Sequence, residues 1–277
     1  MTAAPTLSVV IPAYNNGRTL AETMDSVLSQ EGVDFELIVA DHASTDDSRE
    51  VMARFADDPR VTLLDTEAGG GAGRNWNRVS AEARGEYLKL VCGDDILRPG
   101  TLARQVEILR DSGAVLTACR RDIVDAEGKV LMAGWGLRGL RGPMIGPAAV
   151  RKAVRAGSNL FGEPASVMMR RSTFAETGGW FDRFPYLIDQ ASYSRVLLRG
   201  AFAPDPEVGA TFRMSSAQWS VALTRDQASQ ARGFHAWLHA EHPRVISRLD
   251  RVVGDVRATL MAHARRISYR VLERRMR

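Results

Sequence analysis

Residues 7 to 16 read LSVVIPAYNN, and Leu7 to Ile11 place aliphatic, mostly β-branched side chains at almost consecutive positions. A half-buried strand alternates apolar with polar, whereas a run without alternation suits a strand buried on both faces, as in a parallel sheet covered by helices. Pro12 predicts the end of that strand, and the polar residues after it predict a loop at its carboxyl end. Thr19-Leu-Ala-Glu22 has the spacing of a capping box, and Leu20, Met24, Val27 and Leu28 then share one helical face.

The same alternation continues. Phe35 to Ala40 reads as a second strand ending at Asp41, and Ser44 to Asp47 as a cap leading into a helix with Val51, Met52 and Phe55 on one side. Val61 to Leu64 is a third strand, Gly69 to Gly73 a loop, Asn75 to Ala83 a helix and Tyr87 to Val91 a strand. A helix through Leu102, Val106 and Leu109 precedes the strand Val115 to Cys119. Strands and helices in this order predict βαβ units, hence an α/β fold with a mainly parallel sheet and helices on both faces. Ligands bind outside the carboxyl ends of such strands. Pro12 to Asn16, Asp41 to Asp46 and Gly93 to Asp95 all fall there, so one rim collects them.

Farther on, Asp122 to Leu131 predicts a hairpin around Ala-Glu-Gly-Lys, and Gly134 to Gly146, with five glycines and a proline, predicts a mobile loop. Pro147 to Ala156, Ser172 to Thr177 and Gln190 to Leu198 predict helices, and Ser166 to Met169 a strand. After Ser220 the pattern is helical and increasingly basic.

The 277 residues can bury a substantial core, and 45% hydrophobic with 25% charged residues excludes wholesale disorder. Two cysteines, Cys92 and Cys119, give no disulfide framework and no zinc pattern, which fits a reducing compartment. The first residues lack a basic segment before a short apolar run, so neither a secretory leader nor a spanning helix is expected there, and the reading is cytoplasmic.

Several polar residues carry two readings each. Asp94 and Asp95 open the turn Ile-Leu-Arg-Pro-Gly, or hold Mg²⁺ or Mn²⁺ against a diphosphate, since hard cations take carboxylate oxygens together with phosphates. Asp41 is a turn residue or a partner for ribose or base. Arg74, after Gly69-Gly-Gly-Ala-Gly73, is a solvated cation or lies near a diphosphate; the glycines lack the Lys-Ser/Thr of a P-loop. Asp189 begins a helix as a cap, or serves as a partly buried general base.

In sequence order, SVVIPAYNN (8 to 16), FELIVADHASTDDS (35 to 48), GAGRNWN (71 to 77), ARGEYLKLVCGDDILRPGTL (83 to 102), NLFGEPASVMMRR (159 to 171), GGWFD (178 to 182), YLIDQ (186 to 190) and FRMSSAQWS (212 to 220) resemble glycosyltransferase family 2, inverting sugar transferases of the GT-A fold. The resemblance implies a nucleotide-diphospho-sugar donor, a glycan or lipid-linked acceptor and a place in bacterial polysaccharide or glycoconjugate synthesis. It implies a nucleotide pocket at Pro12, Ala13, Tyr14, Asn15 and Asp41, with Arg74 and Asp94 toward the donor, metal at Asp94 supported by Asp95, and Asp189 as base. Two positions depart from the family: His42 stands where a second acid is usual, and Cys92 where the metal motif has its first aspartate. Metal affinity is therefore expected to be low, and a catalytically silent module that binds sugar nucleotide or glycan is the rival reading.

The expected organisation is a GT-A domain over 1 to 220, with a nucleotide-sugar half (1 to 120) and an acceptor half (121 to 220), and a helical basic extension over 221 to 277. From Arg244 to Arg277 the chain has ten arginines against three acids. Ile246, Leu249, Val252, Val253, Val256 and Leu260 predict a helical face packed on the catalytic domain. Ala262 to Arg277 is basic and apolar enough to lie peripherally on an anionic membrane at its cytoplasmic face. Nucleic acid is a poor partner for it, because aromatic residues are sparse.

Overall fold

The computed structural model describes residues 4 to 214 and 226 to 275, with side chains as far as residue 263. Its elements, in chain order, are β1 (Leu7–Ala13), α1 (Leu20–Leu28), β2 (Phe35–Asp41), α2 (Ser48–Ala53), β3 (Val61–Asp65), α3 (Gly71–Ala81), β4 (Tyr87–Leu90), β5 (Ile96–Leu97) and α4 (Thr101–Ser112). There follow β6 (Leu116–Val124), β7 (Val130–Trp135), β8 (Met144–Ile145), α5 (Gly146–Ala156), β9 (Val167–Arg170), α6 (Arg171–Glu176), α7 (Ile188–Leu197), β10 (Ala201–Arg213), α8 (Gln227–Glu241) and α9 (Arg248–Arg275).

One sheet runs in the order β3-β2-β1-β4-β9-β6-β10-β5, with β7 added to β6 and β8 to β10. β3, β2, β1 and β4 are parallel, as the consecutive apolar runs require; β9 enters antiparallel between β4 and β6 and makes the sheet mixed. β1 is buried along its whole length and continues through Pro12 to Ala13, beyond the expected stop. The ladder explains why: β1 pairs with β4 only as far as Val10, whose carbonyl accepts from Val91 N–H. Pro12 has the same parity as Val10, so its missing N–H falls where β4 has already ended and costs no sheet bond.

The longest strand, β10, was not legible. Pro204, Pro206 and Gly209 break its pattern, and the structure absorbs them as register shifts between Asp205, Val208 and Ala210 against β6. The glycine-rich segment 134 to 146 is shorter as a loop than expected, because β7 and β8 occupy its ends and Leu137 and Leu140 anchor its middle in the core. The FRMSSAQWS stretch extends beyond the described residues from Ser215 onward.

Phe234, Leu238 and Ala258 of the C-terminal helices, with Ile246 from the turn between them, share one core with Trp180, Phe184 and Leu187. α9 meets α5 through Asp250, whose buried carboxylate accepts from Arg151 Nε at 2.9 Å, Arg155 Nη1 at 2.7 Å and Ser247 Oγ at 2.7 Å. The expected face did not pack: Ile246 is buried, but Leu249, Val252, Val256 and Leu260 are exposed. The expected membrane contact of Ala262 to Arg277 rests mostly on side chains outside those described. Among the described residues no helix is long and apolar enough to cross a membrane.

Replacing Asp250 by Ala should lower the unfolding free energy at neutral pH by about 2 kcal/mol, less than a fully buried pair costs because both guanidinium groups stay partly exposed. The guanidinium and hydroxyl donors hold this carboxyl well below the usual carboxylate range, against the opposing effect of burial. Its stabilisation is therefore complete above the unfolded-state value and is lost as pH falls through the lower folded value, which denaturant titrations at several pH values would read.

Candidate active site

β1 and β2 end side by side, Ala13 opposite Asp41, so their loops meet at the rim. The two loops are laced together: Asn15 N–H donates to Ser44 Oγ at 2.9 Å, Asn16 N–H to Ser48 Oγ at 2.8 Å and Gly17 N–H to Asp46 Oδ2 at 2.9 Å. Asn15 Oδ1 accepts from Thr45 N–H at 2.8 Å, with Asn15 itself at φ 52°, a conformation asparagine tolerates. From α3, Asn75 donates to the carbonyls of Ala13 and Ala40 and accepts from Thr66 Oγ1, which ties the first two strand ends to a helix.

Pro12 and Ala13 form the buried floor of this rim, and Tyr14 stands 57% exposed with its ring 5.9 Å from that of His42. His42 Nε2 lies 2.9 Å from the Gly69 carbonyl, so this nitrogen donates and pins the glycine loop. Asp41 is fully buried; one oxygen accepts from Ser44 N–H and Arg49, each at 3.2 Å, and Oδ1 has no hydrogen-bond partner among the described residues. Arg74 is exposed and folds onto its own loop, bonding Glu67 at 2.6 Å and the Ala68 carbonyl at 3.1 Å.

The acidic loop after β4 is held from two sides. Thr19 Oγ1 donates to the Gly93 carbonyl at 2.8 Å, and a Cβ on Gly93 would lie 2.6 Å from Asn16 Oδ1, so only glycine allows that approach. At the end of β10, Arg213 donates its N–H to Asp95 Oδ1 at 3.3 Å, Nε to the Asp94 carbonyl at 3.2 Å and Nη2 to Glu22 Oε2 at 2.7 Å. The capping box expected at Thr19 and Glu22 therefore does not form; both side chains are diverted to the acidic loop or its clamp.

Cys92, Asp94 and Asp95 offer ligand atoms within 4.8 Å of one another. Asp95 is fully buried, with Oδ2 lacking a partner among the described residues; burial first, then Asp94 and Glu163, push its carboxyl well above the usual range. A carboxyl so placed gains most from a cation that shares its charge, so Asp94 and Asp95 fit a hard divalent ion. Cys92 does not join them as a thiolate: burial and the carboxylates of Asp95, Asp94, Asp189 and Glu163 push its thiol far up, which keeps it neutral.

Asp189 lies in the first turn of α7, where Leu187 and not Asp189 is the N-cap. Asp189 Oδ2 accepts from Asn159 Nδ2 at 2.7 Å and Oδ1 from Gln190 N–H at 2.6 Å. The orientation of the Asn159 amide is fixed, since its oxygen accepts from Phe161 N–H and its nitrogen also donates to the Gly162 carbonyl. Burial raises the Asp189 carboxyl to about 7, with Glu163 adding to the rise and the hydrogen bonds opposing it.

The sequence assigns no role to three residues near Asp189: Asn159 and Glu163, which lie within the resembling stretch 159 to 171, and Arg121. Glu163 Oε1 accepts from Arg121 Nη2 at 2.9 Å, and Arg121 Nε contacts the other oxygen. Gly162-Glu163-Pro164, one short turn before β9, is the available signal, but nothing local links Asn159 to an aspartate 30 positions away.

A family model described as Glycosyl transferase family 2 matches residues 8–178. The chain is 34% identical over 246 residues to an uncharacterized protein, MT1568, of Mycobacterium tuberculosis, covering 85% of this chain and 76% of that one. It is 30% identical over 182 residues to the putative glycosyltransferase EpsE of Bacillus subtilis, covering 65% of this chain and 62% of that one. S. aureus TarS 1-349 in complex with UDP-GlcNAc aligns with a TM-score of 0.70 at 15% identity, over 89% of this chain and 72% of that one. Mannosyltransferase PcManGT from Pyrobaculum calidifontis, in complex with GDP-Man and Mn²⁺, aligns with a TM-score of 0.66 at 18% identity, over 95% and 74%. At such identities the structural likeness shows the fold, GT-A.

Because the folded protein keeps Asp189 protonated where the unfolded chain does not, its ionisation erodes stability as pH rises from about 4 to about 7. Asp189→Asn should therefore be more stable than wild type at pH 7 by on the order of 2 kcal/mol, a gain that vanishes below about pH 4. Asn159→Ala should widen that difference and Glu163→Gln narrow it, as read by denaturant unfolding across pH.

Proposed function

The chain belongs to glycosyl transferase family 2 and is a glycosyltransferase, and on that premise we propose that it moves a sugar from a nucleoside-diphosphate sugar to an acceptor hydroxyl with inversion at the anomeric carbon. The observation that carries this reading is the acid pair Asp94 and Asp95, whose ligand atoms lie within 4.8 Å of one another and suit a cation, together with the buried, hydrogen-bonded Asp189 poised as a base. That the two solved relatives hold UDP-GlcNAc, or GDP-Man and Mn²⁺, supports the donor class and the ion.

In this reading the nucleoside rests on the rim formed by Pro12, Ala13, Tyr14 and Asn15, and the free oxygen of Asp41 accepts from ribose or base. Asp94 and Asp95 would hold Mg²⁺ or Mn²⁺, which neutralises negative charge on the diphosphate when bound. Asp189 takes the proton of the acceptor hydroxyl as that oxygen forms its bond to the anomeric carbon; the bond from that carbon to the diphosphate breaks, its electron pair leaving with the nucleoside diphosphate. A carboxyl raised to about 7 accepts a proton far more readily than an ordinary aspartate, and Asn159 keeps its Oδ2 aimed while Arg121 offsets the charge of Glu163. Arg74 reaches the diphosphate only by leaving Glu67. The acceptor is a glycan or a lipid-linked sugar in bacterial polysaccharide or glycoconjugate synthesis.

Of UDP, GDP, dTDP and CDP, one should raise the thermal midpoint with Mn²⁺ present, and Asp94→Ala should lose most of that metal-dependent rise. Asp189→Asn should keep the donor-induced shift yet transfer sugar at least about 100-fold more slowly. A chain that no nucleoside diphosphate stabilises at millimolar concentration would contradict the donor site.

A further inference from the structure

α9 carries its larger apolar side chains on the side that a surface helix usually gives to polar ones. Leu249, Val252, Val256 and Leu260 are 65%, 58%, 55% and 64% exposed. The face that meets the protein is instead Asp250, Gly254, Ala258 and Ala262, each buried and each four residues from the next. A Cβ on Gly254 would lie 2.4 Å from the Val154 carbonyl of α5, and one on Gly157 would lie 2.4 Å from Ala258 N, so the backbones touch and no larger residue fits between them. At about 100° of rotation per residue the buried set and the exposed apolar set point to opposite sides of the helix. Attachment to the domain is thus made by small residues and the Asp250 ion pairs, and the stripe is left over.

The flanks of the stripe are basic. Arg248 and Arg257 are exposed, one on each side of it, Arg257 with one nitrogen on the Arg155 carbonyl at 3.0 Å, while the two acids of this stretch are spent on pairs, Asp250 with Arg151 and Arg155, and Asp255 with His235 at 2.8 Å and Arg251 at 3.6 Å. We propose that this face of α9, an apolar stripe of Leu249, Val252, Val256 and Leu260 bordered by Arg248 and Arg257, docks in the plane of an anionic lipid bilayer. Charge selects lipid over a second copy of the chain. Two copies joined along the stripe would set arginine against arginine, with no exposed acid of this stretch among the described residues to meet them, whereas lipid phosphates answer both borders. The stripe suits an interface because its apolar atoms enter the headgroup boundary while Arg248 and the remaining guanidinium nitrogens of Arg257 meet phosphate. The inference goes beyond the transfer reaction and requires nothing of the donor site.

The test is co-sedimentation of the full chain with vesicles of phosphatidylcholine alone, and with about a third phosphatidylglycerol, at about 0.1 M salt. The wild type should bind the anionic vesicles at least about tenfold more tightly, and a Val256→Asp, Leu260→Asp double variant should lose about tenfold or more of that binding. Its thermal midpoint should match the wild type, because both positions face solvent. Equal binding to the two vesicle types, or undiminished binding by the double variant, would overturn the proposal. So would a dimer in light scattering that the double variant converts to monomers, which would assign the stripe to a second copy.

Discussion

Burial of acidic groups in one cleft, where Asp95 and Asp189 are pushed toward the neutral carboxyl by burial first and then by neighbouring carboxylates, Glu163 among them, is the constraint on which the rest of this site depends. They are countered from three places. Arg213, at the far end of the longest strand, clamps the loop of Asp94 and Asp95; Arg121 on β6 takes Glu163; Asn159 and the first turn of α7 hold Asp189. Because those countering groups come from residues 121 to 213, the strand-end acids of the first half depend on the second half for their placement.

Local stability is given up to achieve this. Thr19 and Glu22 could have closed a capping box, yet Thr19 makes no cap bond, and at α2 the N-cap Asp47 makes none either, the first N–H of that helix being met by Asp46 at 3.0 Å. Thr19 turns to Gly93, Glu22 to Arg213, and Asp46 to Gly17 and Ser48. Thr19 joins the α1 start to the acidic loop, Glu22 joins α1 to the end of β10, and Asp46 joins the first two strand-end loops, so side chains that could cap helices tie the rim together.

The sheet has its own interior polar group. Lys89 on β4 is fully buried and donates to Gln105 Oε1 at 2.8 Å and the Val167 carbonyl at 3.3 Å, and burial lowers its pKa to about 8. Read alone, Leu-Lys-Leu within β4 would suggest a face open to water; the helix α4 covers it and supplies Gln105. The same lesson holds for α9, where the periodicity marked an apolar face and the expectation that it packs on the domain failed, because Leu249, Val252, Val256 and Leu260 turn to solvent.

What the sequence by itself determined is the order and type of the elements in its first half, which depend on neighbours in the chain. Consecutive apolar runs place β1 to β4, helical spacing places the helices between them, and the rule that ligands gather at strand ends brings Pro12 to Asn15, Asp41 and Asp94 to one rim. What only the tertiary structure decided depends on distant partners: Asn159 holding Asp189, Arg121 answering Glu163, a bulged β10 threading two prolines into the sheet, and α5 presenting a bare backbone to Gly254 and Ala258. Periodicity encodes which residues share a face. The surface that face will meet is built elsewhere in the chain, and only packing brings the two together.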